Sequence, residues 1–267
     1  MSPIYTPGKV VLAKQFTWNE TIWNPSMIQT ALWLDAADAS TVTTVSGTVS
    51  QWNDKSGNSR HVSQSGASSR PAYTASAING LPALTFISDD FLERSSPGLV
   101  TGASSRSMFA VYKPNTTGNN ANWVCGQAWN GTTTNSWFGL MHRNDVVKGD
   151  PYLATYAGDI TDGATPATVA KIGGATYDGT TLVAYRNGTE IASGARTLAT
   201  NTGVSFLIGR DGQASSYMNG QAAEVVFIES ALSTLNRQKI EGYLAHKWGL
   251  TANLPNDHPY KLVGPTP

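Results

Sequence analysis

Six glutamates and four histidines are the residues with which this chain could do acid–base work, and their spacing argues against it. Hydrolysis of a glycosidic bond takes two carboxylates facing each other across a sugar. Glu20, Glu93, Glu190, Glu224, Glu229 and Glu241 stand apart, and none alternates with a second acid along a strand-like run. Glu224 and Glu229 are five residues apart, which sends them to opposite faces of an ideal strand. Glu224 therefore reads as a structural hydrogen-bonding or ion-pairing group. His61, His142, His246 and His258 lack a metal spacing such as H-x-x-x-H. No G-x-S-x-G nucleophile turn and no phosphate-cradling glycine loop occurs. The one cysteine, Cys125, sits in the strand-like run ANWVCGQAW. It reads as a buried, inert thiol, and alone it allows no intrachain disulfide.

Binding chemistry is better supplied. Residues 114–137, PNTTGNNANWVCGQAWNGTTTNSW, set three tryptophans among Asn, Thr and Gly. Flat rings bordered by amides and hydroxyls suit sugars, whose C–H faces stack while their hydroxyls take hydrogen bonds. The candidate carbohydrate-binding residues are Trp129, Trp123, Trp137, Asn130, Tyr152 and Tyr156, with Tyr217 as a further ring. The competing reading turns Trp123 and Trp137 inward as strand residues and leaves Trp129 as the exposed ring. Asn130-Gly131-Thr132 and Asn187-Gly188-Thr189 match the glycosylation pattern but read as turns.

Composition bounds the setting. Of 267 residues, 40% are hydrophobic, enough for a sizeable core, and only 13% are charged, well under the usual share. Eighteen basic and eighteen acidic residues cancel, which excludes the basic surplus of a nucleic-acid binder. No apolar run is long enough to span a membrane. MSPIYTPGKVVLAKQF lacks the pattern of a signal peptide.

The elements that must position these residues are strands. ALWLD at 31–35 opens the globular part. Further runs follow at Thr48–Trp52, Ala83–Phe86, Ser107–Lys113, Asn122–Gln127, Trp137–His142, Tyr152–Tyr156, Ala167–Tyr177, Thr181–Arg186, Glu190–Ser193, Ser205–Gly209 and Ala222–Ile228. That spacing fits a sandwich or barrel. Asn187-Gly188 marks a type I′ hairpin, and Asp178-Gly179 offers a second such turn. Asn79-Gly80 is a turn leading into the next strand. Trp33 and Trp52 are expected to fill space between sheets, and Phe91 with Leu92 to return to the core. A helix follows the last strand: Ser230 to Ser233 supply the cap, Leu235, Ile240, Tyr243, Leu244 and Trp248 recur at helical spacing, and Gly249 ends it. Residues 1–29 form an irregular arm, broken by Pro3, Pro7 and Pro25 but rich in Tyr5, Phe16, Trp18 and Trp23. Packing on its own domain and docking on a larger assembly both fit it.

These blocks fall in a recognisable order: ALWLDAADAST (31–41), VSQWNDKSGNSRHVSQ (49–64), RPAYTASAINGLPALTF (70–86), SDDFLE (88–93), MFAVYKP (108–114), TLVAYRNGTEIASG (181–194), FLIGRDG (206–212), the strand–helix unit at 220–250, and LPNDHPYK (254–261). Over roughly 30–261 the chain resembles the laminin-G-like, concanavalin A-like jelly-roll domains of bacteriophage structural proteins and bacterial surface proteins. The resemblance implies an all-β, two-sheet antiparallel sandwich with one C-terminal α-helix, occupying residues 30–267 behind the arm. Relatives often hold a calcium ion, which would fall to Asp35, Asp38, Asp54, Asp89 or Asp90. No dense acidic cluster occurs, so turn capping by these side chains is the favoured reading. Glycosidases of this fold carry alternating acids on one strand, and this chain does not. The function expected is a non-enzymatic virion protein of a bacteriophage, a capsid decoration, head-fibre or tail-associated module. It would contact other virion proteins through the arm, form a homo-oligomer, and display a lectin-like sandwich toward glycans. The alternative is a carbohydrate-binding module of a bacterial surface protein.

Overall fold

The computed structural model of the chain describes residues 22–116, 121–128, 131–144 and 148–267. In chain order the strands are β1 (Thr30–Asp35), β2 (Val42–Val45), β3 (Thr48–Trp52), β4 (Val62–Ser63), β5 (Ala72–Ile78), β6 (Leu81–Phe86), β7 (Leu92–Arg94), β8 (Arg106–Pro114), β9 (Ala121–Ala128), β10 (Phe138–Asn144), β11 (Lys148–Ala154), β12 (Lys171–Tyr177), β13 (Thr181–Arg186), β14 (Thr189–Ala195), β15 (Ser205–Ile208) and β16 (Gly220–Ile228). One helix, α1 (Thr234–Lys247), follows.

The strands make two antiparallel sheets. The front sheet runs β11-β10-β9-β15-β7-β4-β3, with β2 on the outer edge of β3. The back sheet runs β5-β6-β16-β8-β12-β13-β14. Strand β16 is long enough to pair with β6 at Gly220–Ala222 and with β1 at Glu224–Ile228. The sheets meet at one corner, through the pair Thr48–Ala72. Elsewhere they pack face to face: Phe138 on β10 and Phe206 on β15 set their rings 6.1 and 5.9 Å from Phe227 on β16. Cys125 Sγ lies 3.8 Å from Met108 Sδ in this core, and burial pushes its thiol pKa up.

The expected strands are present, with shifted ends, and β2, β4, β5 and β7 are additions. These four are short or carry little apolar alternation; in β5, AYTASAI, only Ile78 is buried. The run from Ala167 shortens to β12. Asn79 and Gly80 have φ of 47° and 83°, and Asn187 and Gly188 have 50° and 82°, so both pairs make the left-handed turns that connect adjacent strands. At Asp178-Gly179 only the glycine is left-handed. There Asp178 instead accepts the amides of Thr180 and Thr181.

A second apolar layer lies outside the back sheet. Trp52 fills space between the sheets as expected, but Trp33 points the other way, 6.4 Å from Tyr243 of the helix. Alternate side chains of a strand take opposite faces, and Leu32 and Leu34 of β1 occupy the inner one. Ser233 caps α1 through the amide of Asn236, and Gly249 at φ 66° turns the chain away. Glu224 sits fully buried beneath the helix. Its carboxylate accepts the indole N–H groups of Trp33 and Trp248 at 2.7 Å each and the Tyr243 hydroxyl at 3.0 Å, and it pairs with Lys247 at 2.8 Å. Burial pushes its pKa up, against the pull of Lys247. The C-terminal turn fastens the same layer: His258 Nε2 lies 3.2 Å from Glu241, and His246 Nε2 lies 2.8 Å from the Tyr260 carbonyl.

Trp23 also belongs to this layer. Its ring is buried 6.2 Å from Tyr243, and its amide bonds the Pro265 carbonyl. For Trp23, packing on its own domain is what the structure shows. Tyr5, Phe16 and Trp18 lie outside the described residues.

Polar clusters close both ends of the inter-sheet core. At one end Arg106 is fully buried, and burial pulls its pKa down to about 10. Its guanidinium donates to Gln127 Oε1, Thr200 Oγ1 and the carbonyls of Gly102 and Ser104. At the other end Tyr112, His142, Asp150 and Lys171 converge.

Candidate glycan-binding face

One face of the sandwich remains uncovered by the helix layer: the outer face of the front sheet. Register places a row of outward residues across it. Tyr152 pairs with Met141 and Met141 with Trp123. On the next strands Gly126 pairs with Leu207, Leu207 with Glu93, Glu93 with Ser63, Ser63 with Gln51 and Gln51 with Thr43. Their strand neighbours Leu140, Phe206, Leu92, Val62 and Trp52 fill the inner core.

The β9–β11 end of this row is aromatic. Trp123 lies flat over Gly139, where a Cβ would meet the ring at 2.1 Å. Its indole N–H donates to the Leu207 carbonyl at 3.2 Å. Trp137 stands edge-on to it at 5.7 Å, and Tyr156 edge-on to Trp137 at 5.2 Å. Trp123, Trp137 and Tyr152 are buried; Tyr156 is half-buried and shows the outermost ring. Trp123, Trp137 and Tyr152, three of the sequence candidates, thus share one buried cluster and form the support of a surface. They do not present stacking faces themselves, because they pack on one another. Trp129 and Asn130 lie outside the described residues. Tyr217 is half-buried in a loop and bridges to Arg210.

Tyr156 and Ala157 hold φ of 65° and 59°. This left-handed backbone, costly for a bulky residue, ends β11 before Tyr156. Neighbouring bonds hold the turn. Asp159 accepts the Thr155 amide at 2.7 Å and the Tyr152 hydroxyl at 2.5 Å, and the Tyr156 carbonyl accepts the Asn135 amide at 2.9 Å. Burial and the Asp159 carboxylate together push the Tyr152 pKa up. Arg143 lies 5.0 Å over the Tyr152 ring.

The middle of the row is mixed. Phe91 and Leu92 were expected to enter the core together; only Leu92 does. Phe91 takes the outer face, with the Arg210 guanidinium 3.7 Å over its ring. Arg210 reaches Glu93 at 3.4 Å, and Ser205 donates to the same carboxylate at 2.6 Å.

The far end is a polar depression of about 290 Å³, lined by Thr43, Ser50, Gln51, Ser63, Gln64, Ser65 and Arg70. A bulge in β3 turns both Ser50 and Gln51 outward. Arg70 is held by the carbonyls of Gln64 and Ser65, at 2.7 Å each. No carboxylate lines the depression. Periodicity did not reveal this site, since β2 and β4 are too short and too polar to show it.

The calcium candidates are dispersed, and each has another partner. Asp35 pairs with Lys55 and Lys247, and Asp38 with Lys55. Asp54 accepts the amides of Trp33, Ser56 and Arg60. Asp89 accepts from the Ser69 hydroxyl, and Asp90 from the Ile87 amide. Among the described residues no three His, Cys, Asp or Glu side chains are grouped to hold a metal ion.

Comparison with solved structures places the architecture. A GH54 α-L-arabinofuranosidase soaked with a cyclic sulfate inhibitor matches with a TM-score of 0.59 at 13% identity, over 84% of this chain and 60% of that one. The fold is an antiparallel β-sandwich shared with that enzyme. An arabinofuranosidase complexed with arabinofuranosyl-α-1,2-xylobiose matches with a TM-score of 0.58 at 14% identity, over 84% and 60%. The Trypanosoma rangeli sialidase in complex with sialic acid matches with a TM-score of 0.51 at 11% identity, over 81% of this chain and 33% of that enzyme. The chain thus spans 60% or less of each of these proteins. No protein-family model matches the chain, and a search of curated proteins found no match.

Proposed function

We propose that this chain is a non-catalytic carbohydrate-binding sandwich that takes glycan on the outer face of its front sheet. The observation that carries this is the outer face of the front sheet, where the half-buried Tyr156 ring and the Arg210–Phe91 stack share a face with the hydroxyl- and amide-lined depression around Thr43, Gln51 and Ser63, on a sheet whose inner face is sealed by core. A sugar chain needs both textures, apolar C–H faces against rings and hydroxyls against fixed polar groups. Tyr156, the Arg210–Phe91 stack and Arg70 are the groups reaching outward. The solved structures of similar fold include an arabinofuranosidase and a sialidase that hold sugars, which supports a carbohydrate ligand. The acids on the face, Glu93 and Asp159, are each engaged by neighbours, which supports binding over hydrolysis.

Glycan-array binding by the wild type and by Arg70→Ala, Tyr156→Ala and Arg210→Ala tests this. Binding to a glycan class, lost in at least one variant that stays folded, is expected. Absence of binding across neutral and acidic glycans would overturn the reading, and polysaccharide turnover would overturn its non-catalytic part. The setting proposed with it, display on a bacteriophage virion or a bacterial surface, is supported by the sequence resemblance. Mass spectrometry of purified particles checks it.

A further inference from the structure

The polar cluster at the far end of the inter-sheet core has more than a packing role. Lys171 on β12 and Asp150 on β11 are both buried, with side chains about 3% exposed, and they come from different sheets. Lys171 Nζ contacts Asp150 Oδ2 and donates to the Ala167 carbonyl at 2.7 Å. Asp150 Oδ1 accepts the Tyr112 hydroxyl at 2.8 Å. His142 Nδ1 stands 3.7 Å from Asp150 Oδ2, buried and without a hydrogen-bond partner. Its Nε2 lies 3.0 Å from the Thr116 carbonyl, so that nitrogen is the donor there and Nδ1 is the nitrogen that faces the carboxyl. Arg186 is directed to the Asp150 carbonyl and to Asp162.

We propose that Lys171 and Asp150 join in an intramolecular amide bond that ties the front sheet to the back sheet. Burial penalises the charged forms of both groups and pulls the Lys171 pKa down; at Asp150 burial pushes up, but His142 and Lys171 outweigh it and hold the carboxyl below its ordinary pKa, so the reacting pair needs one proton to pass from Nζ to Oδ2 along their direct contact. The neutral Nζ attacks Asp150 Cγ. Tyr112 donates to Oδ1 as negative charge gathers there. His142 Nδ1 takes a proton from the attacking nitrogen and returns it to Oδ2. The C–Oδ2 bond breaks, the C–N bond remains, and one water leaves. Amine and carboxylic acid give amide and water, with no oxidation and no co-reactant. The contacts already present are those the product keeps: the amide N–H on the Ala167 carbonyl, and the amide oxygen under the Tyr112 hydroxyl.

Intact-mass measurement of the denatured full chain tests this. The expected mass is lighter than the sequence mass by one water, and proteolysis yields a branched peptide joining the segments around Asp150 and Lys171. The branched peptide decides the matter, because Asp178-Gly179 and Asp211-Gly212 can also lose water as succinimides. Asp150 cannot, since Pro151 offers no amide nitrogen. Lys171→Met abolishes the branched peptide. Tyr112→Phe, which keeps the ring, and His142→Ala slow its appearance in freshly made protein. A folded wild type whose peptides at 150 and 171 are all linear overturns the proposal. Complete cross-linking at the wild-type rate in His142→Ala overturns the proton-transfer role of His142.

Discussion

The two outer faces of the sandwich are built from similar residue types and end in opposite states. Outside the back sheet, Trp33, Tyr243 and Trp248 close around Glu224, and every donor aimed at that carboxylate is spent. Outside the front sheet, Trp123, Trp137 and Tyr152 also pack together, but the row continues past them to Glu93, Ser63 and Gln51, which stay half-buried or exposed. The difference is the helix. A strand that alternates faces needs a partner on both sides to bury both. Helix α1 supplies it to the back sheet, whereas among the described residues no helix packs on the Glu93–Gln51 part of the front sheet. Polar groups that converge on one another lock a structure, and polar groups that remain directed outward can receive a ligand.

The contrast can be broken most severely at Glu224. Glu224→Ala leaves two indole N–H groups and a hydroxyl without their acceptor under the helix and removes one of the two carboxylates that Lys247 pairs with, and should cost about 3–5 kcal/mol, read as a fall in the denaturant midpoint. A loss under about 1 kcal/mol would mean the network is not what holds the layer. Next in size, Gly139→Ala drives a methyl into the Trp123 ring and should cost about 1–3 kcal/mol through overpacking. The same unfolding measurement checks it, and intact stability would show that the aromatic end is loosely packed. On the open half the expectation reverses. Arg70→Ala and Tyr156→Ala should each change stability by no more than about 0.5 kcal/mol, while weakening glycan binding by about tenfold, the scale of a modest hot-spot residue. Smallest is the Asp38–Lys55 pair at the surface. Hydrogen bonds from Lys55 and Ser40 hold the Asp38 pKa below its ordinary 3.8. Its contribution is therefore complete above that pH and lost as pH falls below it through the depressed value. At such exposure the effect is about 1 kcal/mol or less, and Asp38→Asn should flatten that part of an acid titration of stability.

The strand–helix unit at 220–250 was legible because its signals agree. Ser233 caps, the apolar stripe has helical period, and Gly249 is left-handed at the stop. The hairpin at Asn187-Gly188 was legible for the same reason. The site was less so. Trp123 and Trp137 were identified as sugar-binding candidates by residue type, yet type does not say which face of a strand a ring takes or what lies over it. Phe91 was assigned to the core with Leu92, though consecutive residues of a regular extended run point to opposite faces. Arg70 and Gln51 carried no signal at all, because the depression they line is made by β2, β3 and β4 meeting across loops.

The chain's own sequence determined the antiparallel sandwich, the helix behind it, the inert Cys125 and the structural use of Glu224, since each depends on local pattern, residue chemistry or turn residues a few positions apart. Tertiary structure decided that Trp33 faces the helix and Trp52 the core, that Trp23 packs on its own domain, and that Tyr156, Arg210 and Arg70 share the outer face of the front sheet. It also decided that Lys171 meets Asp150 across the two sheets. These depend on strand order and on which face the helix covers, and no spacing along a single strand records either.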